Sequence, residues 1–131
     1  MIARTDLARI ARARLRDAEV LFSAERYDGA VYLCGYAIEL QLKARICRTL
    51  QWPSFPSTRH QFQDLTSFRT HDLDVLLQLS GISGRILSTL QKEWDEMTEW
   101  EPEMRYNLIG SIDRAKARKM LDAAKALMRK I

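Results

Sequence analysis

Apolar residues recur every three to four positions along most of the chain. Leu7, Ile10, Ala11, Leu15, Ala18, Leu21 and Phe22 fall at helical spacing. The spacing predicts a helix to about Ala24, with Thr5 as its N-cap and Asp6 in its first turn. Arg9, Arg12, Arg14 and Arg16 occupy its other faces. Tyr27-Asp28-Gly29 reads as a turn, with Asp28 capping a second helix from about Gly29 to Leu50. That segment is apolar nearly all round: Ala30, Val31, Leu33, Cys34, Ala37, Ile38, Leu40, Leu42, Ala44, Ile46 and Cys47. A helix of this kind belongs at the centre, packed on several sides. Glu39 and Lys43 lie one turn apart on it and can pair.

Trp52-Pro53 ends the second helix, and Pro56 keeps the next stretch non-helical. Residues 52–70 form a long connection whose aromatics, Trp52, Phe55, Phe62 and Phe68, are expected to pin it to the core. Connections this long tend to be functional or to hold a short element of their own. Thr70 is expected to cap a short helix with Leu73, Leu76, Leu77 and Leu79 inward, ended by Gly81. Ser83 is expected to cap another, carrying Ile86, Leu87, Leu90, Trp94 and Met97 to about Trp100, before Pro102. The last helix starts between Glu103 and Ser111, with Ile112, Ala117, Leu121, Ala124, Met128 and Ile131 as its stripe. No strand pattern and no repeat is visible. The expectation is an all-α fold of about five helices, in one domain spanning residues 1–131.

Composition narrows the class without naming a function. A chain of 131 residues has the usual size of one domain and can bury a core without disulfides or metal. With 47% hydrophobic and 29% charged residues, disorder and low complexity are excluded. Only 5 Gly and 3 Pro argue against a β-sandwich or barrel, which needs many turns. No apolar run approaches the ~18 residues of a membrane span. The start, Met-Ile-Ala-Arg-Thr-Asp, lacks the apolar stretch of a signal peptide. Cys34 and Cys47 sit in an apolar helical pattern and read as buried free thiols of a reducing compartment. A cytoplasmic protein with no membrane contact is expected.

The net charge is +4, unevenly spread. Residues 1–50 and 103–131 are basic, while 51–102 are acidic. Basic ends suit a polyanion, and an acidic middle suits a basic partner. Ordinary solvated helix faces account for the same pattern.

The catalytic inventory is thin. His60 and His71 are the two histidines, and no Cys/His set has zinc spacing. No glycine-rich loop precedes a helix, and no Ser/His/Asp set follows from spacing. The carboxylates of 93–103 read as a solvated face before a metal pair. Neither metal nor cofactor is expected.

The opening DLARIARARLRDAEVLFSAERYDGAVYLCGYAIELQLKARI resembles the first two helices of HEPN domains, with Tyr27, Asp28, Ala37, Glu39 and Lys43 at the family's positions. THDLDVLLQLSGI is similar to the family's short third helix, with His71, Asp72, Leu73 and Leu77. WEPEMRYN resembles the Arg-Tyr segment that opens its last helix, with Arg105 and Tyr106. The resemblance covers nearly the whole chain in order. It implies an up-and-down helical bundle that often forms homodimers. Many members are metal-independent ribonucleases of toxin and antiviral systems. Others bind RNA or nucleotide without catalysis, and many are encoded beside a small nucleotidyltransferase.

Catalytic members carry an Arg followed, after four to six residues, by a His on the last helix. Here no histidine follows Arg105 at all. The resemblance therefore implies a non-catalytic or degenerate HEPN protein that binds RNA or nucleotide, as one half of a defence or toxin–antitoxin module. Arg105 and Tyr106 are the first candidate ligand contacts, and Lys43 and His71 the second. Two other readings stay open. One is a metal-independent ribonuclease using Arg105 with His71 or His60. The other is a protein-interaction module that binds no nucleic acid. Each candidate also has a plainer role: Arg105 pairing with Glu99 or Glu101, Tyr106 burying its ring, His71 positioning the loop, Lys43 in a surface ion pair.

Overall fold

The computed structural model describes the whole sequence, residues 1–131. It contains six α-helices: α1 (Arg4–Ser23), α2 (Tyr27–Thr49), α3 (Leu73–Ser80), α4 (Ser83–Thr89), α5 (Gln91–Met97) and α6 (Arg114–Lys130). Two short antiparallel strands, β1 (Ile2–Ala3) and β2 (Ser54–Phe55), pair Ile2 with Phe55 and Ala3 with Ser54. Tight 3-10 turns cover Thr66–Phe68 and Pro102–Tyr106. The architecture is an all-α bundle, and no helix is long and apolar enough to cross a membrane.

Helix α2 packs against α1, α3 and α6, which is why its sequence is apolar on most faces. Ile38, Leu42 and Ile46 are fully enclosed; each such side chain contributes about 1.5–3 kcal/mol relative to exposure. The outer helices bury only a stripe. On α1 it is Leu7, Ala11, Ala18 and Phe22, and on α6 it includes Ala117, Met120, Leu121, Ala124 and Leu127. Cys34 and Cys47 are buried and free. Burial, with Glu19 adding to it, pushes the Cys34 thiol up to about 12, against a smaller opposing pull from Lys125.

The 52–70 connection is held by its aromatics. Phe55 and Phe62 are buried with ring centroids 6.0 Å apart, and Trp52 meets Phe68 at 5.1 Å. The paired strands were not visible in the periodicity, because two residues are too few to show alternation. They also displace the first cap. Extended backbone runs through Ala3, and the Arg4 N–H donates to Pro53 O, so α1 begins ahead of Thr5.

Other boundaries differ for local reasons. Helix α2 starts at Tyr27, which puts Asp28 inside its first turn. The Asp28 carboxylate instead accepts the N–H groups of Gly110 at 2.6 Å and Ile112 at 3.0 Å. Asp72, not Thr70, caps α3, accepting from Asp74 N–H and Val75 N–H. Gly81 ends that helix with φ +77°, a left-handed conformation suited to glycine. The expected single helix from Ser83 to Trp100 is two, broken at Leu90 (φ −133°, ψ 35°). Helix α6 begins at Arg114, capped by Asp113, so Ile112 lies before it and not on its stripe.

Candidate functional site

Tyr32, Tyr36, Glu39 and Lys43 recur at three- and four-residue steps, so they share one face of α2. At one end of this face lies a buried carboxylate. Glu39 is only 2% exposed, and its Oε1 accepts from Lys43 Nζ at 2.7 Å and from His71 Nδ1 at 2.6 Å. Removing a carboxylate from water costs several kcal/mol, which these two donors offset. The Glu39 Oε2 is buried with no partner. Because Nδ1 of His71 is engaged, its Nε2 is the free ring nitrogen, on a side chain that is 64% exposed. Lys43 Nζ also stands 5.6 Å from the Phe55 ring centroid. A cavity of about 270 Å³ opens here, walled by Tyr36, Phe55, Phe62, Phe68 and Arg69 around the polar trio.

At the other end lies the Pro102–Tyr106 turn. Trp100 holds the chain that leads into it. Its Nε1 donates to the Tyr32 carbonyl at 3.0 Å, and its indole lies so close to Gly35 that a Cβ there would overlap it. This is the close approach that requires glycine at position 35. Arg105 follows on the turn, fully exposed, with its guanidinium 4.8 Å over the Tyr106 ring. The oxygens of Tyr106 and then Tyr32 raise its pKa above the ordinary arginine value. Tyr32 in turn stacks near Tyr36, centroids 6.4 Å apart and planes 12° from parallel.

The four candidate residues thus form two clusters. Lys43 and His71 meet on Glu39, and Arg105 and Tyr106 meet near Tyr32. Their anchors, Glu39 and Tyr32, are separated by two turns of α2, about 10 Å along its axis. No hydrogen bond or ion pair joins Arg105 to His71 or His60. His60 lines an adjoining groove with Arg59, on the other side of Phe62 and Arg69 from the Glu39 cavity. Tyr106 is 75% exposed, so its ring does not serve the core. Arg105 does not pair with Glu99, which binds Lys116 together with Glu96. Sequence reasoning missed Tyr32 and Tyr36; their one-turn spacing on α2 was the available signal.

A small helical bundle with half-buried tyrosines and a buried, paired carboxylate along its central helix is a frame for many ligands, and the fold alone does not choose among them. The family does: residues 5–131 match the HEPN domain, and the chain belongs to that family. No curated protein and no solved structure matches it. Membership implies an RNA- or nucleotide-related function in a family that is often nuclease or toxin.

Proposed function

We propose that this HEPN protein binds RNA or a nucleotide without cleaving it, on the α2 face that runs from Arg105 and Tyr106 towards Lys43 and His71. The observation that carries this reading is the Arg105–Tyr106 pair, exposed and already stacked at 4.8 Å. A guanidinium takes phosphate oxygens in a fixed fork, and an exposed ring offers a base a stacking surface. Absence of cleavage rests on the sequence, which has no histidine after His71 to partner Arg105. The resemblance supports a homodimer acting as one half of a defence or toxin–antitoxin module beside a small nucleotidyltransferase.

One observation favours a second reading, a metal-independent ribonuclease. Glu39 fixes the His71 ring through Nδ1 and leaves Nε2 free. That is the arrangement a general base needs to take a proton from an RNA 2′-hydroxyl, with Arg105 meeting phosphate charge.

The test is a titration of end-labelled single-stranded RNA with chelator present, read by anisotropy and then by gel for length. Salt-sensitive binding of intact RNA, weakened about tenfold or more by Arg105→Ala, is the expected result. Shortening that disappears in His71→Ala or Arg105→Ala would replace the binder with the nuclease. Neither binding nor shortening would leave a protein-interaction module.

A further inference from the structure

Away from the Arg105 face, α1 and α6 form a groove of about 390 Å³. Arg12 and Arg16 stand one turn apart on the α1 side, and Lys125 and Arg129 one turn apart on the α6 side. Each pair spans about 6 Å along its helix. Leu15 and Met128, both packed on the core, lie between them.

Every carboxylate on these two helices is engaged with another cation. Asp6 faces Arg9 at 3.8 Å, Asp17 faces Arg14 at 3.5 Å, and Asp122 faces Arg118 at 3.7 Å. Glu19, the one acid lining the groove, holds Lys125 at 3.0 Å. Arg12, Arg16 and Arg129 are exposed and have no carboxylate in ion-pair range. Like charges gathered on one concave surface repel, and a chain of phosphates relieves that repulsion while releasing counterions.

We propose that this groove is a track for the sugar–phosphate backbone of single-stranded RNA, separate from the Arg105 face. The proposal rests on the reading of the protein as an RNA binder and names where the strand runs. The two facing rows of cations are each only one helical turn long, a length that matches a short stretch of one backbone. It contains no aromatic side chain, so it contacts backbone and does not select bases.

The test measures the affinity of the full chain for U12 and A12 oligonucleotides between 50 and 200 mM salt. It compares wild type, the triple variant R12Q/R16Q/R129Q and the triple variant R12K/R16K/R129K. These positions are exposed, and far-UV circular dichroism verifies that the fold is kept. Single strands lose about 0.7 in log–log slope per phosphate contact. The glutamine variant is therefore expected to flatten the slope by about 2 and to bind about tenfold or more weakly at 50 mM, equally on both oligonucleotides. The lysine variant is expected to restore the slope, because point charges suffice. An unchanged slope in the glutamine variant, with wild type binding, overturns the track and leaves the Arg105 reading standing. A wild type that binds neither oligonucleotide overturns both.

Discussion

Nδ1 of His71 lies 2.6 Å from Oε1 of Glu39, joining the approach to α3 to the middle of α2 across 32 positions of sequence. Lys43 Nζ shares the same oxygen at 2.7 Å. Losing one partner leaves a nearly inaccessible charge under-compensated, whereas losing the whole pair does not. Lys43→Met is expected to lower stability by about 3 kcal/mol. The double variant Glu39→Leu/Lys43→Met should recover most of that loss. Urea unfolding followed by circular dichroism decides it: a double variant weaker than Lys43→Met would show that the carboxylate itself anchors the connection.

Gly35 sets two effects against each other. Alanine in a helix interior is ordinarily favoured by about 1 kcal/mol. Here the added methyl would overlap the Trp100 indole, and overpacking costs about 1–3 kcal/mol. Gly35→Ala is expected to be destabilising, with Trp100 fluorescence shifted as the ring is displaced. An increase in the urea midpoint would mean that the indole yields without cost.

Asp28 holds a distant loop. Its carboxylate accepts from Gly110 and Ile112 just ahead of α6. Asp28→Ala removes both bonds and is expected to cost about 1–2 kcal/mol. Limited proteolysis should cut faster within residues 107–113, where Leu108 and Ile109 are already 85% and 97% exposed. Cleavage at the wild-type rate would show that the loop holds without the tie.

Cys34 predicts an alkaline limit. Its pKa rises from 9.0 in the unfolded reference to about 12 in the fold, chiefly through burial. Between those values the folded chain binds more protons than the unfolded one, so stability falls as pH rises. The contribution is fully present below pH 9 and declines by about 1.4 kcal/mol per pH unit above it. Urea midpoints at pH 8 and pH 10 should differ more in wild type than in Cys34→Ala. Equal differences would show that the thiol takes no part.

The helices were legible where burial follows a single period. The α3 stripe and the all-round apolarity of α2 appear in the sequence because their packing is set residue by residue. So does the α1 stripe at Leu7, Ala11, Ala18 and Phe22, whereas Ile10, expected on that stripe, faces outward and is 39% exposed. The break at Leu90 was not legible. Leu90 keeps the phase of both Ile86 and Trp94, so the apolar pattern runs on while the backbone turns. Asp28 misled for a different reason. An aspartate before an apolar run looks like a cap, and its actual partners lie 82 and 84 positions away. The Glu39–Lys43 pair followed from spacing, but its burial and its third member, His71, depend on where the connection returns. Tyr106 allowed two readings, a ligand contact and a core ring, since nothing local announces that the Pro102–Tyr106 turn carries it into solvent.

The segment between α2 and α3 leaves α2 and comes back to it. His71 is bonded to Glu39 at its return, and Thr49 Oγ1 donates to the Ser80 carbonyl at 2.6 Å beyond it. Between these clasps Phe55 and Phe62 are fixed in the core, while Ser57, Thr58, Arg59 and His60 are exposed. The entropy of closing a loop grows only with the logarithm of its length, about 0.6 kcal/mol per doubling. Chain inserted after Thr58 would open the exposed Ser57–Gln61 turn, whose N–H groups can turn to water, and would otherwise lengthen the loop at little entropic cost while its anchors stay in place. The fold keeps its chemistry at fixed points and leaves the span between them free to change in length.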